Sequence, residues 1–376
     1  MKRVVILQEY VPRYRVPFFE KLHNDAKTHG IDVRVAFGSA GAGQATRKDA
    51  GTISCSIPIN QKEWKFAGRR VVVRNVSSAI AGADLVILEQ ARRNLDAYRL
   101  LAVKRHGTPN VALWGHGKDY TRHATPLDRA LARWLTSRAD WFFAYTRGGL
   151  TSVVADGFPS ARATVVQNSI DTSSLRSSVK SVPSNLVARF SKHAGLRGKT
   201  ALFIGALDSS KRLEFLVSAS EIAHSLDSDF RLLIGGEGPM RPHVEEWSRR
   251  YPWLTYLDAV SGPRKAQAMA ACQILAMPGR VGLVAVDSFA AELPIVTTDW
   301  PLHAPEFEYL RNGHNALITA NSPSIYASTM VDSMNNTELL HRLRAAASRD
   351  AETYTIEAMV ARFLSGVMGA LTVRNS

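Results

Sequence analysis

Apolar residues fall along the first half of the chain in short runs: VVIL (4–7), VRVAF (33–37), LVILE (85–89), VALW (111–114), WFFAY (141–145) and TVVQN (164–168). Each has the length of a strand buried on both sides, and amphipathic stretches of helical period lie between several of them. Strand and helix in alternation predict a parallel sheet covered on both faces. Residues 172–199, TSSLRSSVKSVPSNLVARFSKHAGLRGK, break the texture. Rich in Ser, Lys and Arg and without a sustained strand signal, they are expected to connect two domains. A second alternating series follows: ALFIGA (201–206), RLLIGG (231–236), WLTYL (253–257), QILAMP (273–278), PIVTT (294–298) and NALIT (315–319). The expectation is an α/β protein with two Rossmann-like domains in tandem, 1–171 and 200–352, and a C-terminal segment 353–376.

Ligands of open parallel sheets gather at the carboxyl ends of the strands. In the first half that rule selects Gln8 and Glu9, Glu89, Gly115 to Gly117 with His116, Thr146 and Asn168. In the second it selects Gly205 and the residues after it, Gly235 to Pro239, the 279–287 segment, and Thr298 with Asp299.

The composition, 45% hydrophobic and 21% charged over 376 residues, is that of a globular chain and excludes disordered or collagen-like architectures. Cys55 and Cys272 stand alone, in neither a C-x-x-C nor a Cys/His ligand spacing, so a disulfide scaffold and a structural zinc site are not expected. The first apolar run is cut short by Gln8 and Glu9, and no stretch reaches the ~20 apolar residues of a membrane span, so a cytoplasmic location is expected. Charge is uneven. Residues 1–171 hold 26 Lys and Arg against 14 Asp and Glu, an excess of 12, whereas residues 172–376 hold 21 against 19. A field polarised in this way suits an anionic membrane surface, a polyanionic substrate or nucleic acid, or serves solubility alone.

Three familiar patterns fail on context. GLRGKT (195–200) lacks the leading glycine of a P-loop, which falls at His193, and it precedes a strand instead of following one. Asp227-Ser-Asp229 stands before the strand RLLIGG, at its wrong end for metal binding. YVPRYRVPFF replaces the G-x-G-x-x-G that a dinucleotide-binding first strand requires.

What remains is an ordered series: FIGALDSSKR (203–212), GGEGPM (235–240), GRVGLVAVDSFAAELPIVTTD (279–299) and APEFEYLRNGHNALI (304–318). With VVQNSID (165–171) and ADWFFAYT (139–146) before it, this series resembles the retaining glycosyltransferases of GT-B fold, the large family 4. The resemblance spans nearly the whole chain and is strongest between about 139 and 320. It implies two Rossmann-like domains facing each other across a cleft, an acceptor-binding N-terminal domain and a C-terminal domain for a nucleotide diphosphate sugar. It also implies that the stretch 356–373 is a helix crossing back to the N-terminal domain, that configuration is retained, and that catalysis is metal-independent, with no cofactor.

The diphosphate of such a donor is both a ground-state anchor and the leaving group, so fixed cations and backbone N–H groups are the tools the reaction needs. Lys211 and Arg212 lie between a strand and the helix LEFLVSAS, where their charges add to the helix's positive end. Gly282, Leu283 and Val284 stand at a second strand-to-helix entry. Gly205, Gly236, Glu237, Gly238 and Pro239 form turns that the family places beside the donor, although Glu237 reads equally as a solvated or capping carboxylate. Two positions depart from the family pattern: Ala206 replaces its phosphate-site arginine, and Gly279 replaces the first glutamate of its E-x7-E motif. Asp287 stands at the second glutamate, where it can accept from ribose hydroxyls, and Arg280 is placed to meet the donor sugar. His116, between glycines after a strand, is the candidate for the transferred sugar or its developing charge, or else a local hydrogen-bond partner. Arg13, Tyr14, Arg15 and Glu89 are the candidates for the acceptor, a glycan or lipid-linked molecule, met at an anionic membrane surface through residues 1–171, although Arg13, Tyr14 and Arg15 read equally as a simple surface loop. Nucleic acid is not expected as a partner. An epimerase or phosphorylase of the same fold, or a degenerate non-catalytic scaffold, fits the motifs as well.

Overall fold

A computed structural model describes residues 1–41, 49–66, 69–103, 108–120 and 125–373. The chain divides into two compact units, one from Met1 to Asp171 with the stretch from Thr355 onward, the other from Thr172 to Tyr354.

The first unit holds a seven-stranded parallel sheet. Its strands are β1 (Lys2–Gln8), β2 (Ile31–Phe37), β3 (Ser56–Pro58), β6 (Leu85–Glu89), β7 (Asn110–Gly115), β8 (Trp141–Ala144) and β9 (Ala163–Val165), and β4 (Gln61–Phe66) with β5 (Arg69–Arg74) forms a separate antiparallel hairpin. The order β3-β2-β1-β6-β7-β8-β9 places β1 between strands that lead off in opposite directions. Its residues from Val4 to Leu7 are fully buried, which explains a continuous apolar run in place of an alternating one. One face carries Phe18, Phe19 and Leu22 of the helix Val16–Thr28 together with Met359, Phe363 and Val367 of the helix Ile356–Thr372. The C-terminal helix is fastened by Phe363 stacking on Phe143 at 4.4 Å and by Asn110 Nδ2 donating to the carbonyls of Ala370 and Val373 at 2.8 Å. The other face packs Leu101, Leu135, Val153 and Phe158 against Val5, Leu7, Val86 and Leu88.

The second unit repeats the plan with β10 (Thr200–Ile204), β11 (Arg231–Gly235), β12 (Leu254–Tyr256), β13 (Ile274–Ala276), β14 (Ile295–Thr298) and β15 (Ala316–Thr319), all parallel, in the order β12-β11-β10-β13-β14-β15. The stretch 172–199, which follows the first unit directly, is helical and not an irregular connection. It forms the helices Ser173–Ser181 and Ser184–His193, which belong to the second unit and pack against the helix Gly262–Ala270. No helix among the described residues is long and apolar enough to cross a membrane.

In both sheets the direction of strand succession reverses beside the first strand of the unit, between β1 and β6 and between β10 and β13. Such switch points open a crevice at the carboxyl ends of the flanking strands. Both crevices carry charged side chains.

Candidate functional site

In the second unit, the loop after β10 and the loop after β13 meet. Asp208 accepts from the Ser210 amide at 2.9 Å and winds Ser209–Lys211 into a single turn, which brings Lys211 in front of the helix Leu213–Leu226. Lys211 Nζ donates to the Arg280 carbonyl at 2.7 Å. Burial pushes its pKa down, with Arg280 acting in the same direction and Asp208 and Glu306 opposing. A partly desolvated ammonium held in this way retains strong attraction for an anion.

Arg212 adopts left-handed backbone geometry, φ 56° and ψ 49°, a conformation that costs a non-glycine residue about 1–2 kcal/mol. Its side chain compensates. Nη1 donates to the Pro278 carbonyl at 3.3 Å and to Thr298 Oγ1 at 3.4 Å, and the guanidinium lies 4.2 Å from the Phe215 ring centroid. Burial lowers its pKa from the ordinary value, though it stays a cation.

Gly279 explains the tight join between the loops. A Cβ there would lie 2.5 Å from the Ser210 carbonyl oxygen and 2.6 Å from the carbonyl of Lys211, so this backbone admits no side chain. The neighbouring Arg280 amide donates to the Ser210 carbonyl at 2.9 Å. The Arg280 guanidinium donates to the Leu302 carbonyl at 3.0 Å and does not project freely from the loop.

The GGEGP turn closes on the same loop from the β11 side. A Cβ on Gly236 would fall 1.9 Å from the Gly205 oxygen, and one on Gly238 would fall 2.5 Å from the Leu207 oxygen. Gly205 itself lies against Lys211, whose Cε would be 3.8 Å from a Cβ at that position. Pro239 follows the turn, ahead of the helix Arg241–Arg250. Glu237 is half exposed and pairs with Arg241 at 2.6 Å. Gly282 sits beside Ala304 and Glu306, while Leu283 and Val284 open the short helix Val284–Ala290. Asp287 faces Lys265, whose ammonium it accepts at 2.7 Å.

Two residues outside the sequence candidates complete this site. His303, 4% exposed, donates from Nε2 to the Thr298 carbonyl at 2.9 Å and accepts at Nδ1 from the Val281 amide at 3.1 Å. Its ring stacks flat on Phe307, 4.0 Å between centroids. Burial, aided by Arg280, Lys211 and Arg212, lowers its pKa to about 4 against the opposing bond to Thr298, so the ring is neutral near pH 7. Glu306, equally buried, sits within the motif APEFEY and supplies negative charge near Lys211. The sequence signal for Glu306 was that motif, following β14; nothing in it showed His303, just before it, fastening a loop 22 positions earlier.

In the first unit, Glu9 after β1 receives Arg70 at 2.8 Å and Arg93. Burial alone would raise its pKa, but the two guanidinium groups hold it below the ordinary carboxylate value. The Glu9 amide donates to Glu89 at the end of β6 at 3.0 Å, and Glu89 is pushed upward by burial and by Glu9. Glu89 is therefore fastened into a network with Glu9 and Arg74 rather than turned outward. Arg74 in turn makes two bonds to Asp96, at 3.0 and 2.6 Å.

Arg15 is buried, where a surface loop was an open reading. Its guanidinium lies 4.5 Å from the Trp114 ring, and Nη2 donates to the Tyr145 hydroxyl at 2.9 Å. Tyr145 packs edge-on against His116 at 4.6 Å. Arg15, Tyr145 and His116 thus form one cluster, and Arg13 and Tyr14 remain exposed. Gly117, with φ 77°, lets the backbone after His116 pass against Gly149. Among the described residues no group of His, Cys, Asp and Glu is arranged to hold a metal ion.

Each unit is thus a doubly wound α/β domain with charged side chains at the switch point of its parallel sheet. Residues 198–336 match the family model described as Glycosyl transferases group 1. HepE of Anabaena, crystallised with UDP, superposes with a TM-score of 0.71 at 13% identity, covering 98% of this chain and all of that one. A glycosyltransferase of Rickettsia africae gives 0.71 at 12% identity, over 100% of this chain and 99% of that one. Sucrose-phosphate synthase of Thermosynechococcus elongatus gives 0.69 at 12% identity, over 98% of both. The fold is that of GT-B glycosyltransferases. No curated protein matches the sequence.

Proposed function

We propose that the chain is a glycosyltransferase that moves a sugar from a nucleotide diphosphate donor to a glycan or lipid-linked acceptor, with retention of configuration and without a metal ion. The observation that carries this reading is the pair Lys211 and Arg212, fixed by Arg280, Pro278 and Thr298 at the switch point of the second sheet. The cations are held by protein carbonyls and rings, so little reorganisation is needed when charge develops on a departing diphosphate. Gly282, Leu283 and Val284 offer backbone amides beside them, Asp287 the ribose contact, and Gly205, Gly236, Gly238 and Pro239 a close-fitting wall. The HepE complexes with UDP and with UDP-glucose support a nucleotide-sugar donor for a chain of this fold.

The first unit takes the acceptor. His116 follows β7, its ring packed against Tyr145, and is the group proposed to meet the transferred sugar. Arg13 and Tyr14 are the exposed acceptor contacts, with Arg15 and Glu89 as the further charged groups proposed to act on the acceptor. The charge excess in residues 1–171 supports an anionic membrane surface as the place where a lipid-linked acceptor is met, with the protein at the cytoplasmic face.

Release of nucleoside diphosphate from a panel of nucleotide sugars tests the reading. Turnover with at least one donor, lost in Lys211→Ala, is the expected result; no donor turned over or bound would refute it.

A further inference from the structure

The stretch from Thr172 to Leu207 contains six Lys and Arg and no Asp or Glu. Three of those cations are satisfied by the body of the second unit: Arg176 pairs with Glu352, Lys180 with Glu292 and Lys199 with Asp227. Arg189, Lys192 and Arg197 are exposed and make no hydrogen bond or ion pair with any described residue.

Two of these lie on the helix Ser184–His193, which buries none of its residues fully. Leu186 and Phe190, four positions apart, share one face of it, and Leu186 is 38% exposed. Together with Arg189, Lys192, His193 and Gln267 of the neighbouring helix they line an open groove of about 750 Å³. An apolar strip flanked by uncompensated cations on a surface helix is the pattern that seats at the boundary between lipid headgroups and acyl chains. A soluble helix of a partner protein would need a carboxylate facing each cation at a fixed spacing; a bilayer of anionic lipids supplies phosphate at any spacing.

The geometry points to the helix Ser184–His193 as a docking surface for an anionic lipid bilayer. Arg189 and Lys192 meet headgroup phosphates, and Leu186 and Phe190 enter the interface between them. This surface belongs to the second unit, is separate from Lys211 and its partners, and does not depend on the charge excess of residues 1–171. It deepens the reading of a lipid-linked acceptor by holding the donor-binding unit at the membrane.

The test is partition of the full chain onto vesicles of phosphatidylcholine with and without phosphatidylglycerol, measured by flotation, with UDP affinity measured in parallel by calorimetry. The wild-type chain is expected to float with the anionic vesicles and to be released by salt. Each Lys or Arg near such a surface is worth about a factor of five, so R189E/K192E should lower the partition coefficient at least about thirtyfold. Leu186→Ser keeps the net charge and should weaken binding severalfold. UDP affinity should be the same in all of them, which separates this surface from the donor site. Partition unchanged in both variants, or a wild-type chain that leaves anionic vesicles unbound, would overturn the proposal, the latter leaving an acidic protein partner as the occupant of the groove.

Discussion

His303 makes folding stability depend on pH in a way that can be isolated. The ring is buried as the neutral form, with its proton on Nε2 committed to Thr298 and its Nδ1 lone pair to the Val281 amide. Arg280, Lys211 and Arg212 surround it, and its pKa falls from 6.5 to about 4. Between those two values the unfolded chain holds the proton and the folded chain does not, so stability falls as pH is lowered through this window and is constant above it. The full difference amounts to about 3 kcal/mol. The perturbation is His303→Gln, whose amide can donate and accept once each but does not titrate. Urea unfolding of wild type and variant, followed by intrinsic fluorescence between pH 4 and 7.5, gives the difference in stability at each pH. The variant should lie below wild type near pH 7.5, because it loses the stack on Phe307, and the gap should close or reverse toward pH 4.5. A gap that is independent of pH would show that His303 is not a buried neutral ring and would refute the account of how the 279–283 loop is held.

Other consequences concern the donor site. Gly279→Ala should force Lys211 and Ser210 aside and weaken UDP binding at least tenfold by calorimetry, since the new Cβ would overlap backbone oxygen. An affinity equal to wild type would mean that the join between the two loops is not part of the site. Asp287→Asn should weaken donor affinity, and Asp287→Glu should retain most of it, as seen in the KM for the nucleotide sugar; equal KM in both would reject the ribose role and leave Asp287 as the partner of Lys265. Activity should survive EDTA if Lys211 and Arg212 offset the diphosphate's charge as proposed; loss in EDTA restored by magnesium or manganese would contradict that.

The strands were legible because burial on both faces makes each an uninterrupted apolar run, and Val4 to Leu7 shows this directly. The hairpin Gln61–Phe66 with Arg69–Arg74 was not, since its first strand, QKEWKF, is mostly polar. The helices of 172–199 were missed for a related reason: they lie on the surface with little buried area, and the helical spacing of Leu186 and Phe190 was the only trace. Lys211, Arg212 and the glycine turns could be found because a strand end followed by a helix start is a local pattern. His303 and the cage around Arg15 could not. Arg15 finds Trp114 and Tyr145 roughly a hundred or more positions away, and only the parallel order of β1, β6, β7 and β8 brings them together. Asp287 was chosen by position, and its partner Lys265 comes from a helix that the motifs did not include.

The most direct measurement is a crystal structure of the chain with UDP, paired with turnover of Lys211→Ala. The account predicts the diphosphate in the crevice between β10 and β13, within hydrogen-bond distance of Lys211 Nζ and of the amides of Gly282 to Val284. It also predicts a loss in Lys211→Ala of roughly 2–4 kcal/mol in transition-state stabilisation, seen mainly in kcat. UDP bound elsewhere on the chain, or in this crevice with Lys211→Ala as active as wild type, would contradict it.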